Sequence, residues 1–473
     1  RVETSGELDL KNWDQEQIIE AADRAFASVW QRRAEWGSES LGELARYIQQ
    51  NNFPPRILGT LRDAVSYLCF EMLSESSLWS PTESNDVFRL DSEALILGDP
   101  KHSAGIDLAD PDVHPLAKAG AILDDLEGWH RASDRPEAAL EARLERLRRF
   151  HGAFDNDQDR LAIREHLEDV QAGFDPGLEW WSMGQAILAE FIRAEDDDDA
   201  LIRAREVAVA GRDRHPESAG GQRCAHVVAA IESPHYELAM MANDGVGRRS
   251  IRVDHRNFDA IYFRAYSYDL EKFVKAAEDY NLLPHYRDAE RIMRGSPAAE
   301  WSVALPATPD YRSHATFMVP PLEEPGAYLV VASMRRDFKK DNNLLEAENF
   351  LLSDLVLVTR QVDSGYEVTA RSGASGRALD GVDVSLYRYD YRQRHREVER
   401  QRSGDDGRVF FDATGWQRQN FFVIARSGEQ LAYDASRLHQ PYPRERSVQT
   451  AALLYSDRSV YRPQQTIYWK AVA

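Results

Sequence analysis

A chain of 473 residues, 43% of them hydrophobic, is long enough to bury several cores, about three domains at ordinary domain sizes. Its formal net charge of -21 repels nucleic-acid backbones and anionic membranes, which excludes both as main partners. Apolar runs such as LVLV and YLVVAS fall far short of the roughly 20 residues a membrane-crossing helix needs, and two cysteines support neither a disulfide framework nor a clustered zinc site.

Residues 12 to about 232 carry apolar positions at helical spacing. Ile18, Ala22, Phe26, Val29 and Trp30 form one expected core-facing stripe; Leu61, Val65, Leu68, Cys69 and Met72 form a second; Leu140, Leu144 and Leu147 form a third. Each stripe requires a neighbouring helix to cover it. Pro136 suits the first turn of its helix, and Glu145 with Arg149 reads as an i,i+4 ion pair on the solvent side. Residues 201–233 read as a helix, a Pro/Gly turn at 215–221 and a second helix. That turn resembles those of tetratricopeptide-like arrays, but no clean repeat of about 34 residues runs through this half. The region is therefore expected to be an irregular, all-α array of helical hairpins. Cys69 and Cys224 are expected to be buried apolar thiols.

After Ser233 the pattern changes to short alternating runs. FDAIYFRAYSYD places Ile261, Phe263 and Ala265 on one face and Tyr262, Arg264 and Tyr266 on the other, the signature of a half-buried strand. Further strands are expected in HATFMVP, GAYLVVAS, SDLVLVTR, GYEVTAR, VDVSLYRYD, GRVFFDA and NFFVIARSG, at intervals that suit immunoglobulin-like antiparallel sandwiches. SGDDGRVFF supplies Asp-Gly turn chemistry at 404–407. The fold class is thus α+β multidomain, with helices first and sandwiches after.

The chain carries no HExxH, Walker loop, nucleophile elbow or GxGxxG after a strand. DGVGRRS at 244–250 is a turn. The acidic run at 195–199 is expected to be a solvated interhelix loop rather than a cation site, since calcium ligands alternate with spacers and a glycine. Asp107, Asp110 and Asp112 fall in a Pro/Gly loop and receive the same reading. The basic stretch YRQRHREVERQR at 391–402 reads as a solvated hairpin carrying Arg396, Glu397, Glu399 and Arg400, with docking of an acidic partner as the alternative. His395 within it has no nucleophile or metal-ligand neighbour in sequence. Tyr262, Phe263, Tyr266, Tyr268, Phe421 and Phe422 are read as core and cross-strand packing, against a stacking platform for a sugar or peptide. No cofactor motif and no catalytic constellation is present, so an enzyme is not expected.

YSDRSVYRPQQTIYWKAVA, residues 455–473, resembles the start of a macroglobulin-like domain in bacterial alpha-2-macroglobulin family proteins, T-D-[RK]-x-x-Y-[RK]-P-G-[QE]-T-[VI], an aromatic residue, then K. Asp457, Arg458, Tyr461, Arg462, Pro463, Gln465, Thr466, Ile467 and Lys470 match, while Ser456 replaces Thr and Gln464 replaces Gly. The S-D-L run at 353–355 looks like that family's link between successive domains. After it, Gly376, Arg377, Ala378, Leu379, Gly381, Val382 and Val384 match G-[KR]-[AP]-[LV]-x-G-[VA]-x-V. PLEEPGAYLVVAS resembles the closing strands of the preceding domain.

The resemblance implies a helical domain at 1–232, macroglobulin-like sandwiches at 233–345 and 346–442, and the opening strand of an incomplete third at 443–473. It implies the N-terminal scaffold of a secreted, periplasmic or cell-envelope protease trap, a non-enzymatic endopeptidase inhibitor. Its partners are then proteases and the remaining domains of the same polypeptide. A cell-surface structural or adhesion protein built from the same modules is the alternative. The family's thioester form C-x-E-Q follows neither Cys69 nor Cys224, and SGEQ at 427–430 lacks the cysteine, so bait and thioester are expected beyond Ala473. Arg1 is not a natural start, so a targeting segment is expected to precede it.

Overall fold

The computed structural model describes residues 13–44, 53–98, 103, 105–277, 281–362, 364–390, 394–416, 419–439, 453–456 and 469–472. The chain packs as two compact units, Arg1–His235 with Ala307–Ser313, and Tyr236–Pro306 with His314–Ala473. The fold class is as expected, helices followed by β-sandwiches.

The first unit is built from α1 (Gln15–Gln31), α2 (Leu61–Leu73), α3 (Pro81–Asp86), α4 (Ser92–Leu97), α5 (Pro115–Ala132), α6 (Pro136–Ala153), α7 (Asp157–Gly173), α8 (Trp181–Arg193), α9 (Ala200–Arg214) and α10 (Ala219–Glu232). Caps set many of the starts. Asp14 with Gln17, Thr60 with Asp63 and Ser80 with Glu83 form capping boxes, and Pro136 occupies the first turn of α6 as its spacing predicts. α5 and α6 form a hairpin across a three-residue turn, and α9 and α10 form another across four residues ending at Ser218, which caps α10 by accepting from Gly221 N. A Cβ on Gly220 would sit 2.2 Å from Met183 N, so only glycine lets α10 approach the start of α8 this closely. Leu140, Leu144 and Leu147 are buried with Phe150, Ile187 and Val228 in one core, and Cys69, Phe70, Ile122 and Leu126 form a second.

Three sequence expectations for this unit are corrected. Ile18, Val29 and Leu68 are exposed (48%, 42% and 49%); α1 instead buries Ala27 and Trp30, and α2 buries Cys69, Phe70 and Leu73. Glu145 is not on a solvent face. It is buried on α6 and pairs with Arg148, while Arg149 lies over the Phe70 ring, 5.6 Å from its centroid. α6 is covered by α5, α7 and α8, which leaves little of its circumference for solvent pairs.

The second unit contains β1 (His235–Met240), β2 (Asn243–Asp244), β3 (Ile251–Arg256), β4 (Ala260–Tyr268), α11 (Leu270–Ala276), α12 (Tyr286–Ile292), β5 (Ala299–Ala304), β6 (His314–Met318), β7 (Gly326–Ser333) and β8 (Leu345–Leu352). It continues through β9 (Leu355–Val362), β10 (Gly365–Ser372), β11 (Asp383–Arg388), β12 (Arg396–Arg402), β13 (Arg408–Asp412), β14 (Phe421–Ser427), β15 (Gln430–Leu438), β16 (Leu453–Ser456) and β17 (Trp469–Val472). Sheets β1-β3-β6 and β2-β8-β7-β4-β5 enclose Ile251, Val253, Ile261, Phe263, Val330 and Phe350. Sheets β13-β10-β9 and β12-β11-β14-β15 enclose Val368, Val384, Leu386, Phe411 and Val423. The ladders are antiparallel except the two-residue pairing of β2 with β8, which is parallel.

Every strand read from the sequence is present; in β4 Ile261, Phe263 and Ala265 are buried as expected, but Tyr266, read onto the opposite face of a half-buried strand, is buried too, packed with Ala289, Leu329 and Val331. The aromatics pack against one another: Phe263 stacks on Trp301 at 5.0 Å and Phe422 on Tyr387 at 5.3 Å. The terminal strand finds a partner. β17 pairs antiparallel with β16, Ser456 opposite Trp469, so the strand read as unpartnered has a partner at 453–456.

Candidate functional site: the junction that carries the motif residues

The S-D-L run bridges the two sandwiches within two residues, since β8 ends at Leu352 and β9 starts at Leu355. So short a link leaves its backbone groups outside both ladders, and side chains satisfy them. Gln430 Oε1 accepts from Asp354 N (2.6 Å) and Ser353 Oγ (3.0 Å), and Ser353 Oγ in turn accepts from Leu355 N (3.1 Å). Asp354 Oδ1 accepts from Ala374 N at 2.7 Å, and Asp354 O accepts from Gly373 N at 2.6 Å. From the other side Ser353 N donates to Asp244 O (2.9 Å) and Asn243 Nδ2 to Leu355 O (3.2 Å). The link is stapled to three separate strands or turns.

The G-R-A-L-D-G-V-D-V run follows β10 and forms turns within the second sandwich. Gly376 and Gly381 hold φ of +69° and +71°, the left-handed region that glycine enters without a Cβ clash. Leu379 N donates to Ala370 O, Gly381 N to Ser403 O, and Val382 N to Ser403 Oγ, which itself donates to Leu379 O at 2.7 Å. This places Val382 and Val384 in the core. Gly376, Leu379 and Gly381 are therefore turn and core positions. Asp457, Arg458, Tyr461, Arg462, Pro463, Gln465 and Thr466 lie outside the described residues.

Behind the link, α11 is wedged between the sandwiches. Leu270 and Val274 pack with Ala327 and Leu351 of the first and with Tyr387, Phe422 and Ile424 of the second, and Arg426 pairs with Glu271 at 3.0 Å. A cleft of about 670 Å³ opens beside the link, lined among others by Asp244, Arg248, Arg249, Asp354 and Gln430. Its carboxylates are already engaged: Asp244 accepts from Gly245 N and Ser250 Oγ, and Asp354 from Ala374 N. No nucleophile and base face each other there.

The basic stretch is part edge strand rather than free hairpin. Its residues 396–402 are β12, exposed along nearly their whole length and paired with β11, with Arg400 on Glu397 at 2.9 Å. Gln401 reaches across to the other sheet, its Nε2 donating to Phe410 O and its Oε1 accepting from Phe410 N. Charges and this side-chain bridge blunt an edge that is otherwise open to pairing. His395 is buried against Tyr389 and Phe422, with Nδ1 3.1 Å from Asp390 N.

In the helical unit the acidic run joins α8 to α9. Glu195 takes Arg164 (2.9 Å) and Arg203 (2.8 Å), and the exposed Asp196 and Asp198 pair with Arg312. Asp107 and Asp110 cap their own turns by accepting from Ala109 N and Asp112 N. Among the described residues no cluster of three metal-ligating side chains occurs. Burial pushes the Cys69 and Cys224 thiols up to about 12, which leaves neither as a thiolate. Several buried or half-buried contacts of α2, α5 and α6 join ionisable groups. Asp63 meets His130 at 2.9 Å, Asp125 meets Arg33 and Arg62 at 2.8 Å each, and Arg146 meets Asp124. Burial opposes ionisation of Asp63 and Asp125; their partners outweigh it and hold both carboxylates below their ordinary range.

Gln430 and Asn243, which hold the link, and Ser403 and Gln401, which brace the second sandwich, have no sequence signature: each is one polar side chain in or near a strand. No known family model matches the sequence, and no curated protein matches it. Among solved structures, the chain is similar to native alpha-2-macroglobulin from Escherichia coli in a fragment spanning domains NIE-MG1, at 16% identity over 42% of this chain and 96% of that one, TM-score 0.33. It is also similar to the fragment spanning MG0-NIE-MG1, at 15% identity over 42% of this chain and 63% of that one, TM-score 0.32.

Proposed function

We propose that this chain is a non-enzymatic scaffold of a bacterial alpha-2-macroglobulin-like protease trap, with a helical domain at 1–232 and macroglobulin-like sandwiches at 233–345 and 346–442. Residues 443–473 begin a third. The observation that carries this reading is the S-D-L link: recognised in sequence as a family's link between serial sandwiches, it joins two sandwiches here through two residues held by Gln430, Asp244 and Asn243. The G-R-A-L-D-G-V-D-V turns, the second motif, close the sandwich that follows the link. Short stapled links suit a protein whose task is to hold many domains in a shell and to move as a body when one segment is cut. On this reading the protein works outside the cytoplasm or in the cell envelope, its partners are proteases, and bait and any thioester belong to other segments of the polypeptide.

The test is to incubate the full-length protein with a broad-specificity protease and follow it by gel electrophoresis and small-angle scattering. The expected result is one early cleavage accompanied by compaction or a covalent protease adduct. Unselective digestion with no change of shape overturns the inhibitor reading and leaves the structural or adhesion role. Residues 1–473 alone are expected to inhibit nothing.

A further inference from the structure

One face of α6 carries glutamates at successive i,i+4 positions, Glu137, Glu141 and Glu145, a spacing at which like charges repel. The outer two are compensated. Glu137 accepts from Arg56 Nε at 3.1 Å and from Trp180 N at 3.0 Å, and Glu145 pairs with Arg148. Glu141, between them, is 5% exposed and forms no ion pair among the described residues; its one hydrogen bond is from the Trp180 indole Nε1 at 2.6 Å. Across from it on α2, the Tyr67 hydroxyl is buried with no hydrogen-bond partner. Arg223 of α10 faces the same pair of glutamates, but its guanidinium is spent on Glu190 of α8 at 2.8 and 2.7 Å. An ionised carboxylate in that place lacks water and a directly paired cation, since the nearby Arg148 and Arg223 are engaged by Glu145 and Glu190.

We propose that Glu141 is a proton-binding switch of the helical unit: it is neutral while the helices are packed and ionised when they separate, so raising the pH from acid to neutral loosens this unit. Burial, with Glu145 adding to it, raises Glu141 to about 7, above its ordinary 4.5. The folded state therefore binds the proton more tightly than the unfolded chain. Stability contributed by the protonated form is whole below about 4.5, falls as pH rises to about 7, and is absent above that.

Glu145, one turn along α6 and also raised by burial first, titrates in the same sense as Glu141, whereas Asp63, Asp125, His151, His166, Asp124, Glu127 and His130 act elsewhere or in the opposite sense. Asp63 and Asp125, held ionised, add stability as pH rises. His151 and His166, both lowered by burial first, cost stability as pH falls below 6.5. Asp124, Glu127 and His130 of α5 face Arg143, Arg146 and Asp63 rather than Glu141. The wild-type profile sums all of these, and Glu141 is isolated by difference.

The experiment is urea unfolding of the whole chain between pH 4.5 and 8.5, read by helix circular dichroism, for wild type and Glu141→Gln. The expected result is a midpoint difference that moves in favour of Glu141→Gln as pH rises to about 7 and then levels off. A difference independent of pH overturns the proposal. Should the variant not fold, the protonated-carboxyl band in difference infrared spectra of isotope-labelled wild type decides instead. A buried band that titrates near 7 supports the proposal, and carboxyl titration confined to the ordinary range overturns it.

Discussion

The two units solve the problem of buried polarity in different ways. In the helical unit the side chains buried beside the core include Arg62, Asp63, Lys118, Asp124, Glu127, Glu141, Glu145 and Arg146, whereas the second unit buries Ser250, His255, Ser333, Ser353, Thr369, Ser372, Ser385, His395 and Ser403. Among the described residues every buried Asp, Glu, Lys or Arg belongs to the first. The difference follows from geometry. A helix satisfies its own backbone, so buried polar side chains there must satisfy one another. Strands, turns and a two-residue link leave backbone groups at their ends, and a hydroxyl or amide completes them without bringing a charge out of water. Stability of the helical unit therefore depends on pairings between charges, and that of the β unit on turns and neutral staples.

Variants that remove one element from each side break or sharpen this contrast. The largest effect is expected from Asp124→Ala, which leaves Arg146, 1% exposed and itself lowered to about 10 by burial, with only the more distant Glu127 carboxylate at 3.7 Å and Ile96 O at 3.4 Å; Ser103 Oγ also loses its acceptor. Loss of one partner of a buried pair costs about 3–5 kcal/mol, read as a fall in the urea midpoint of the helix signal. Next is Gly407→Val. Gly407 holds φ +73° in the Asp-Gly turn, and a Cβ there would sit 2.5 Å from Ala370 O. Left-handed strain and overpacking together cost about 3 kcal/mol in the β unit, measured by loss of amide protection in β10 and β13. The smallest is Gln430→Ala, which removes the acceptor of Asp354 N and Ser353 Oγ. It costs about 1–2 kcal/mol and is expected to raise hydrogen exchange at the link while both sandwich cores stay protected.

The same contrast explains what could be read in advance. Strands such as β4, β7 and β14 announce themselves by β-branched and aromatic residues between turn signals, and the Leu140, Leu144 and Leu147 stripe by its period. β8, LEAENFLL, begins as a good helix former and is a strand because β7 lies beside it along eight positions. β12 hides because an edge strand needs no apolar face. α1 was legible as a helix but not in orientation: its apolar arc is wider than the surface available to cover it, so Ile18 and Val29 stay outside while Ala27 and Trp30 go in. Glu145 resembles a solvent residue in sequence because period alone does not reveal how many neighbours a helix has. The motif glycines were legible since only glycine tolerates their backbone, whereas Gln430 becomes visible only when the chain brings it to the link from 77 positions away, and Ser403 when it meets Val382 from 21 positions away.

The separation of the two units is tested most directly by hydrogen-exchange mass spectrometry on the whole chain carrying either Asp124→Ala or Gly407→Val. Asp124→Ala is predicted to deprotect α5 and α6 while β10, β11 and β14 keep wild-type exchange, and Gly407→Val to do the reverse. Deprotection of both regions by either variant would contradict the account, because charge pairing in one unit and turn geometry in the other would then support a single cooperative structure.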